Sequence, residues 1–266
     1  MKVVQQRGVV LIIVLWITVL LMVLLAAFTA TIKVDSHVAS DIVRRVQARA
    51  GAEAVLSYLV ATQRSGAYDW STMIGEVYTL DINAMEVRFR FIPESAFISL
   101  NAAPAEELST VFNAIGLNNA NDIAQLIVQR REGYLDEQSG ETVPPQPWLS
   151  TLELSRLPEI HQSFTQYIQG WFTSDSDHPE VNLDFADADL LRALKGDEAE
   201  QFLSERTLRT STNESQQISG EIYRVQVELS SGARVRKIEA TVEFNVAEHG
   251  YHVVRWNEYN AYFSLD

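Results

Sequence analysis

The feature that most constrains this chain is an uninterrupted apolar run at residues 9–28. Its 20 residues carry no charge, and Thr18 is the only polar side chain among them. As an α-helix the run is about 30 Å long, which is the thickness of the hydrocarbon core of a bilayer. It also lacks the polar face of a helix that packs on a soluble core. The sequence therefore predicts a membrane-spanning helix. This helix includes Val9, Ile13, Trp16, Leu20 and Phe28.

The flanks of this run indicate its orientation. Lys2 and Arg7 precede it, and cations at that flank favour a cytoplasmic N-terminus. The rest of the chain is then expected in the periplasm of a Gram-negative cell. A secretory signal has a shorter apolar core ahead of a small-x-small cleavage site. Residues 26–30 mimic such a site, so a cleaved, soluble product is the alternative.

A helix-permissive segment follows, from residue 31 to about residue 61. It contains no proline, and apolar residues recur at near-helical spacing between charged ones. The membrane helix is therefore predicted to continue as an amphipathic helix with a face for partner helices. This face includes Val34, Val38, Ile42 and Val46.

Composition and motifs exclude several classes of function for this chain. The chain has 35 acidic and 21 basic residues, an acid excess that argues against nucleic-acid binding. It has no cysteine, which excludes disulfides and thiolate chemistry. The sequence contains no phosphate loop, no GxSxG elbow and no HExxH motif. We therefore predict a protein that is not an enzyme and has no catalytic residues.

Two related helical segments occupy the middle of the chain. Residues 99–131 predict a helix, a turn at Gly116 and a second helix, and residues 181–206 repeat the pattern 83 positions later. The matched pairs are Leu100/Leu183, Asn101/Asp184, Ala103/Ala186, Ala105/Ala188 and Leu108/Leu191. Each segment resembles a helix-hairpin-helix unit, a motif that often binds DNA phosphates. Residues 99–175 carry ten acids and three arginines, which favours a packing role over DNA binding.

Alternating segments on both sides of these helices predict β-structure. Residues 73–92 indicate a hairpin with its turn at Asn83 and Ala84. Three further segments, at residues 221–229, 233–246 and 251–256, indicate an antiparallel meander. The sequence therefore predicts an α+β domain whose sheet is split by a helical insertion.

The start of the chain resembles a type IV prepilin or pseudopilin. It has a short basic leader, then Gly8, then an apolar helix that becomes amphipathic. The resemblance implies that a prepilin peptidase cleaves between Gly8 and Val9 and that the new N-terminus at Val9 is methylated. The class normally has Glu at the fifth mature position, where this chain has Ile13. The chain is similar to the minor pseudopilin K family of the type II secretion system in two respects, the absence of that Glu and the sequence of residues 99–108.

The resemblance to the pseudopilin K family implies a pilin-like α+β fold. A long N-terminal transmembrane and amphipathic helix packs on an antiparallel sheet, and a large insertion holds two helix-hairpin-helix-like (SAM-like) repeats. The implied parts are a prepilin leader (1–8), the helix (9–62), a first β part (63–97), the helical insertion (98–215) and a C-terminal β part (216–266). The implied function is to cap the tip of the periplasmic pseudopilus and support export of folded proteins across the outer membrane.

The same resemblance implies partners and a location. The expected partners are the I- and J-type minor pseudopilins, the major pseudopilin, the prepilin peptidase, the inner-membrane secretion platform and secreted substrates, but no nucleic acid. The expected location is the inner membrane, single-pass, with a cytoplasmic N-terminus and a periplasmic C-terminal domain. The alternatives are a single-span periplasmic scaffold that is never cleaved and a DNA-binding protein with helix-hairpin-helix-like modules.

Acidic residues are dense between residues 175 and 189. Oxygen ligands suit calcium, and the resemblance implies that family members can bind calcium in the insertion. The candidate ligands are Asp175, Asp177, Glu180 and Asp184. A solvated acidic loop with helix-capping aspartates is the interpretation that the residues favour. No other cofactor is predicted.

Overall fold

The structure is a computed structural model that describes residues 6–65, 70–82, 85–135, 140–160, 164–209, 222–231, 234–245 and 250–258, together with Phe263 and Leu265. The chain divides into two compact units, with the boundary after Ala50. The first unit holds most of the long N-terminal helix. The second unit holds the end of that helix, the sheet and the insertion.

Helices and strands follow one another in an α+β order. The helices are α1 (Gln6–Ser65), α2 (Trp70–Met73), α3 (Ala105–Ala114), α4 (Ala120–Glu132), α5 (Thr165–Trp171), α6 (Ala188–Lys195) and α7 (Ala199–Arg209). The strands are β1 (Tyr78–Ile82), β2 (Met85–Pro93), β3 (Ile98–Ser99), β4 (Tyr134–Leu135), β5 (Thr142–Val143), β6 (Phe172–Thr173), β7 (Ile222–Ser231), β8 (Arg234–Asn245) and β9 (Gly250–Asn257).

A five-stranded antiparallel sheet has the order β1-β2-β7-β8-β9. The predicted hairpin is β1 and β2, and the predicted meander is β7, β8 and β9, so both predictions are confirmed. The hairpin turn at Asn83 and Ala84 lies outside the described residues. Because β2 and β7 are hydrogen-bonded neighbours, the helical segment between them is an insertion into the sheet, as predicted.

One face of the sheet is apolar and packs on the end of α1. Phe89 is fully buried, and its ring lies 6.0 Å from the ring of Tyr58 in an edge-to-face arrangement. A Cβ on Gly51 would lie 2.5 Å from Cδ2 of Leu229. The missing side chain at Gly51 therefore lets α1 approach β7 closely.

The insertion has an apolar core of its own. Phe112 and Phe172 stack with their ring centroids 5.2 Å apart, and Trp148 is fully buried beside them in the same cluster. Helix α4 contributes Ile123 and Ile127 to this core. The insertion therefore folds around buried side chains that are separate in sequence from those of the sheet.

The offset of 83 residues recurs in the hydrogen bonds of the insertion. Ala103 donates its N–H to the carbonyl of Ser99 at 3.0 Å, and Ala186 donates to that of Asn182 at 3.2 Å. In each segment an arginine near the end of the second helix also donates to two carbonyls ahead of the first helix. The sets are Arg131 to Leu100 and Ala103, and Arg206 to Leu183 and Ala186. The two segments thus share local geometry, while their classification as helix-hairpin-helix units stays a prediction.

Candidate functional site

The apolar run is an exposed helix in the isolated chain. Leu11–Thr29 spans 19 residues, and none of it is buried. Its length and composition are sufficient to cross a membrane once. The predicted span positions Ile13, Trp16, Leu20 and Phe28 are all more than half exposed. Gly8 and Val9 also lie in α1, but the side chain of Val9 is not among those described.

A second apolar surface lies further along the first unit. Val38, Ile42 and Val46 are spaced four residues apart, so they follow one another along one face of α1. Each is more than half exposed. The side chain of Val34 lies outside the described ones. We call Val38, Ile42 and Val46 the helix stripe. Exposed apolar side chains in such a row are typical of a surface that packs on another protein.

Polar side chains occupy the face of the sheet opposite to α1. The strand register places them in three cross-strand rows. The rows are Arg88–Glu228–Lys237, Arg90–Gln226–Glu239 and Arg224–Thr241–Arg255. The third row lies under the insertion, and the first row contacts the carbonyls of Leu265 and Phe263. This polar face is therefore where the insertion joins the sheet.

Arg224 and Glu94 form a buried ion pair at that junction. Arg224 donates from Nε to Oε1 of Glu94 at 3.0 Å and from Nη2 to Oε2 at 2.9 Å. It also donates to the carbonyls of Gln169 (2.9 Å) and Phe172 (3.2 Å) in the insertion. Its guanidinium lies 3.7 Å from the ring centroid of Phe97. Burial disfavours its charge, but the carboxylates of Glu94 and Glu239 outweigh that effect and raise the pKa of Arg224.

A second ion pair uses one of the candidate calcium ligands. Arg255 donates to both carboxylate oxygens of Asp175, from Nη2 at 2.7 Å and from Nε at 3.1 Å. Asp177 and Glu180 are exposed, and Asp184 is half-buried. In the described part of the chain, no three His, Asp or Glu side chains are placed to hold a metal ion. The structure thus does not assemble these acids into a metal site, and calcium binding stays a prediction.

Asn101 holds two distant segments of the insertion together. Its Nδ2 donates to the carbonyls of Trp148 (2.9 Å) and Ser174 (3.0 Å), and its Oδ1 accepts from the N–H of Trp148 at 2.8 Å. Asn101 lies ahead of the first helix of the insertion, because α3 begins only at Ala105. Its match to Asp184 in the repeat is the one signal that marks the position in the sequence.

Glu239 lies in the middle polar row with little compensation for its charge. Gln226 accepts from Arg90 at 2.9 Å and donates from Nε2 to Oε2 of Glu239 at 3.4 Å. Burial raises the pKa of Glu239, and the nearby Arg224 opposes this effect only in part. A carboxylate with a raised folded-state pKa destabilises the fold above that pKa, and this destabilisation is lost as the pH falls toward the unfolded-state value.

We therefore expect Glu239→Gln to raise the melting temperature at neutral pH. The gain should shrink from neutral pH to about pH 4, the ordinary pKa of a glutamate, because the wild-type carboxyl takes up a proton as the pH falls. Thermal melts of the full chain in micelles of a nonionic detergent measure both quantities. Glu243→Gln, at an exposed position of β8, is the control for loss of one negative charge. A gain that is the same at both pH values contradicts the expectation.

Comparisons with known proteins address the fold. Neither a scan against protein-family models nor a search of curated proteins gave a match. Among solved structures, the chain is similar to a chain in the crystal structure of the GspK-GspI-GspJ complex from the enterotoxigenic Escherichia coli type 2 secretion system. The TM-score is 0.55 at 10% sequence identity, and the match covers 85% of this chain and 99% of that one. The chain therefore has a fold found in that complex, a mixed α+β fold of the pilin-like kind.

Proposed function

We propose that this chain is a K-type minor pseudopilin of a type II secretion system. The observation that carries the proposal is the fold that this chain shares with a chain of the GspK-GspI-GspJ complex. The match covers 99% of that chain. The exposed apolar span of α1 and the split sheet with its helical insertion agree with the same assignment. The role that follows is assembly with other proteins rather than catalysis.

In this role the span Leu11–Thr29 holds the subunit in the inner membrane, with the N-terminus in the cytoplasm and the globular unit in the periplasm. The subunit then packs beside the I- and J-type minor pseudopilins and the major pseudopilin through the helix stripe. The secretion platform of the inner membrane extracts this assembly. The outcome is a pseudopilus that supports export of folded proteins across the outer membrane.

Two features support a place at the pseudopilus tip. In related pilins a buried carboxylate at the fifth mature position pairs with the terminal amine of a neighbouring subunit. Ile13 needs no such partner, which suits a subunit with no neighbour above it. The insertion, with a core of its own, also enlarges the globular unit beyond a bare helix and sheet. A subunit with a globular unit enlarged in this way fits the end of a filament better than a position within it.

The test of the proposal is the mature N-terminus, measured by mass spectrometry in cells with and without the prepilin peptidase. We expect a chain that begins at a methylated Val9 only when the peptidase is present. A chain that begins at Met1 in both strains contradicts the proposal and favours an uncleaved single-span protein. A cut near Ala30 also contradicts it and indicates an ordinary secretory signal.

The helix stripe yields a prediction about partners. We expect Ile42→Asp to lower the amount of co-purified minor pseudopilins at least about tenfold, because a carboxylate in an apolar helix interface loses its hydration. The measurement is a quantitative pull-down from detergent-solubilised membranes. Ser40→Asp is the matched control, since it adds the same charge on the opposite side of α1, where Arg44 already donates to Ser40. Equal recovery of partners with both variants contradicts the prediction.

A further inference from the structure

A cavity lies between the insertion and the polar face of the sheet. Its volume is about 200 Å³, and it is partly open to solvent. The insertion contributes Ser150 and Gln169 to its wall, and β8 contributes Glu239 and Thr241. Arg224, Arg255 and Asp175 complete the charged lining. The cavity thus brings together side chains that lie far apart in the sequence.

Three carboxylates and two arginines meet at this cavity when Glu94, the partner of Arg224, is counted with the lining. Both arginines are already engaged in bidentate ion pairs, Arg224 with Glu94 and Arg255 with Asp175. Among the described residues, Glu239 has no cationic group in an ion pair with it, and its one hydrogen bond comes from the Gln226 amide. The wall therefore presents one carboxylate without an ion-pair partner among the described residues, and it attracts a cation.

A second group in the wall also lacks a partner. Gln169 is only 8% exposed, and its Oε1 has no hydrogen-bond partner among the described atoms. A buried acceptor without a donor costs free energy, and a ligand that carries N–H groups supplies such a donor. Thr241 adds a hydroxyl to the same wall. Gln169 therefore leaves one buried acceptor in the wall open to a donor from a ligand.

We propose that this cavity binds a monovalent organic cation with N–H donors, an alkylammonium group. Glu239 supplies the opposite charge, and the oxygens of Gln169 and Thr241 accept from the remaining N–H groups. A divalent metal ion fits the described lining less well, because no three carboxylate or imidazole side chains converge there. The ammonium comes either from a free small amine or from a lysine side chain of a partner protein.

The test is isothermal titration of the full chain, in micelles of a nonionic detergent, with n-butylammonium. We expect saturable binding that tetramethylammonium, which has no N–H donor, does not reproduce. Glu239→Gln should weaken the binding at least about tenfold because it removes the charge-assisted hydrogen bond. Gln169→Leu should weaken it as well. Glu243→Gln, which removes an exposed carboxylate of the same strand, should leave it unchanged.

A parallel titration with the capped tripeptide acetyl-Gly-Lys-Gly-amide separates the two sources. Tighter binding of the peptide supports a partner's lysine, and binding of n-butylammonium alone supports a free amine. The absence of saturable heat with either probe means that the cavity holds water only and overturns the proposal. Equal binding by the wild-type chain and Glu239→Gln overturns it too, provided that the variant has a wild-type circular dichroism spectrum. Neither result depends on assembly of a pseudopilus.

Discussion

Glu94→Gln lowers the free energy of unfolding by about 3–5 kcal/mol, the cost of leaving a buried charge without its partner. Both side chains of the Glu94–Arg224 pair are almost fully buried. The glutamine keeps the size of the side chain but not its charge, so Arg224 stays desolvated and loses its ion-pair partner. Arg224 also donates to two insertion carbonyls, so we expect the insertion to loosen from the sheet first. Urea unfolding of the full chain in detergent micelles, followed by tryptophan fluorescence, measures the loss.

Two further variants test whether the charge is the cause. The double variant Glu94→Gln/Arg224→Met removes both charges and should recover part of the stability, because no unpaired charge remains. Glu228→Gln weakens two less buried ion pairs. Nη1 of Arg88 lies 3.3 Å from Oε1 of Glu228, and Nζ of Lys237 lies 3.8 Å from its Oε2. The cost of this substitution should stay below about 1 kcal/mol. A loss no larger for Glu94→Gln than for Glu228→Gln would show that the buried pair does not hold the junction.

Asn101→Asp should cost about 2–4 kcal/mol, although the two side chains have nearly the same shape. The substitution keeps the acceptor for the N–H of Trp148 but replaces the Nδ2 donor with an oxygen. That oxygen would face the carbonyl oxygens of Trp148 and Ser174 at about hydrogen-bond distance, so two bonds become repulsive contacts. Urea unfolding measures the cost, and amide hydrogen exchange at Trp148 locates it in the insertion.

The control for Asn101→Asp is Asn113→Asp, at an exposed position of α3. It adds the same charge without a pair of carbonyls in front of it, so we expect a change of only a few tenths of a kcal/mol. Asn101→Ala supplies a second check, since it removes the donor without adding an oxygen and should cost less than Asn101→Asp. Equal losses for Asn101→Asp and Asn113→Asp would mean that these carbonyl contacts do not stabilise the insertion.

Local patterns determined much of the architecture. The length and the uniformly apolar character of residues 9–28 predict a membrane span, because the thickness of the bilayer sets the length of a helix that crosses it. The alternation in β2, β7 and β8 predicts strands because successive side chains point to opposite faces of a sheet. The offset of 83 residues predicted a repeated segment, and the same offset separates the carbonyls of Ala103 and Ala186, which accept from Arg131 and Arg206.

The burial and the partners of individual side chains depend on tertiary contacts, which local sequence patterns do not contain. In α4, Ile123 and Ile127 share the buried face with Ala124, whereas Leu126 is 42% exposed. The helical period allows either residue on the edge of that face, and the neighbouring elements decide between them. Asp175 was one of the candidate calcium ligands because it lies in an acidic loop, and only the structure shows that it pairs with Arg255.

The sequence by itself determined the apolar span, the helix stripe as an apolar series, the strands of the five-stranded sheet and the position of the insertion, because each follows from the spacing of neighbouring residues. Only the tertiary structure decided that Glu94 meets Arg224, that Asn101 joins Trp148 to Ser174, and that Glu239 lines a cavity. These contacts join residues between 47 and 130 positions apart, or depend on walls from two separate segments. Their partners are fixed by how the insertion packs on the sheet, and spacing along the chain carries no information about that packing.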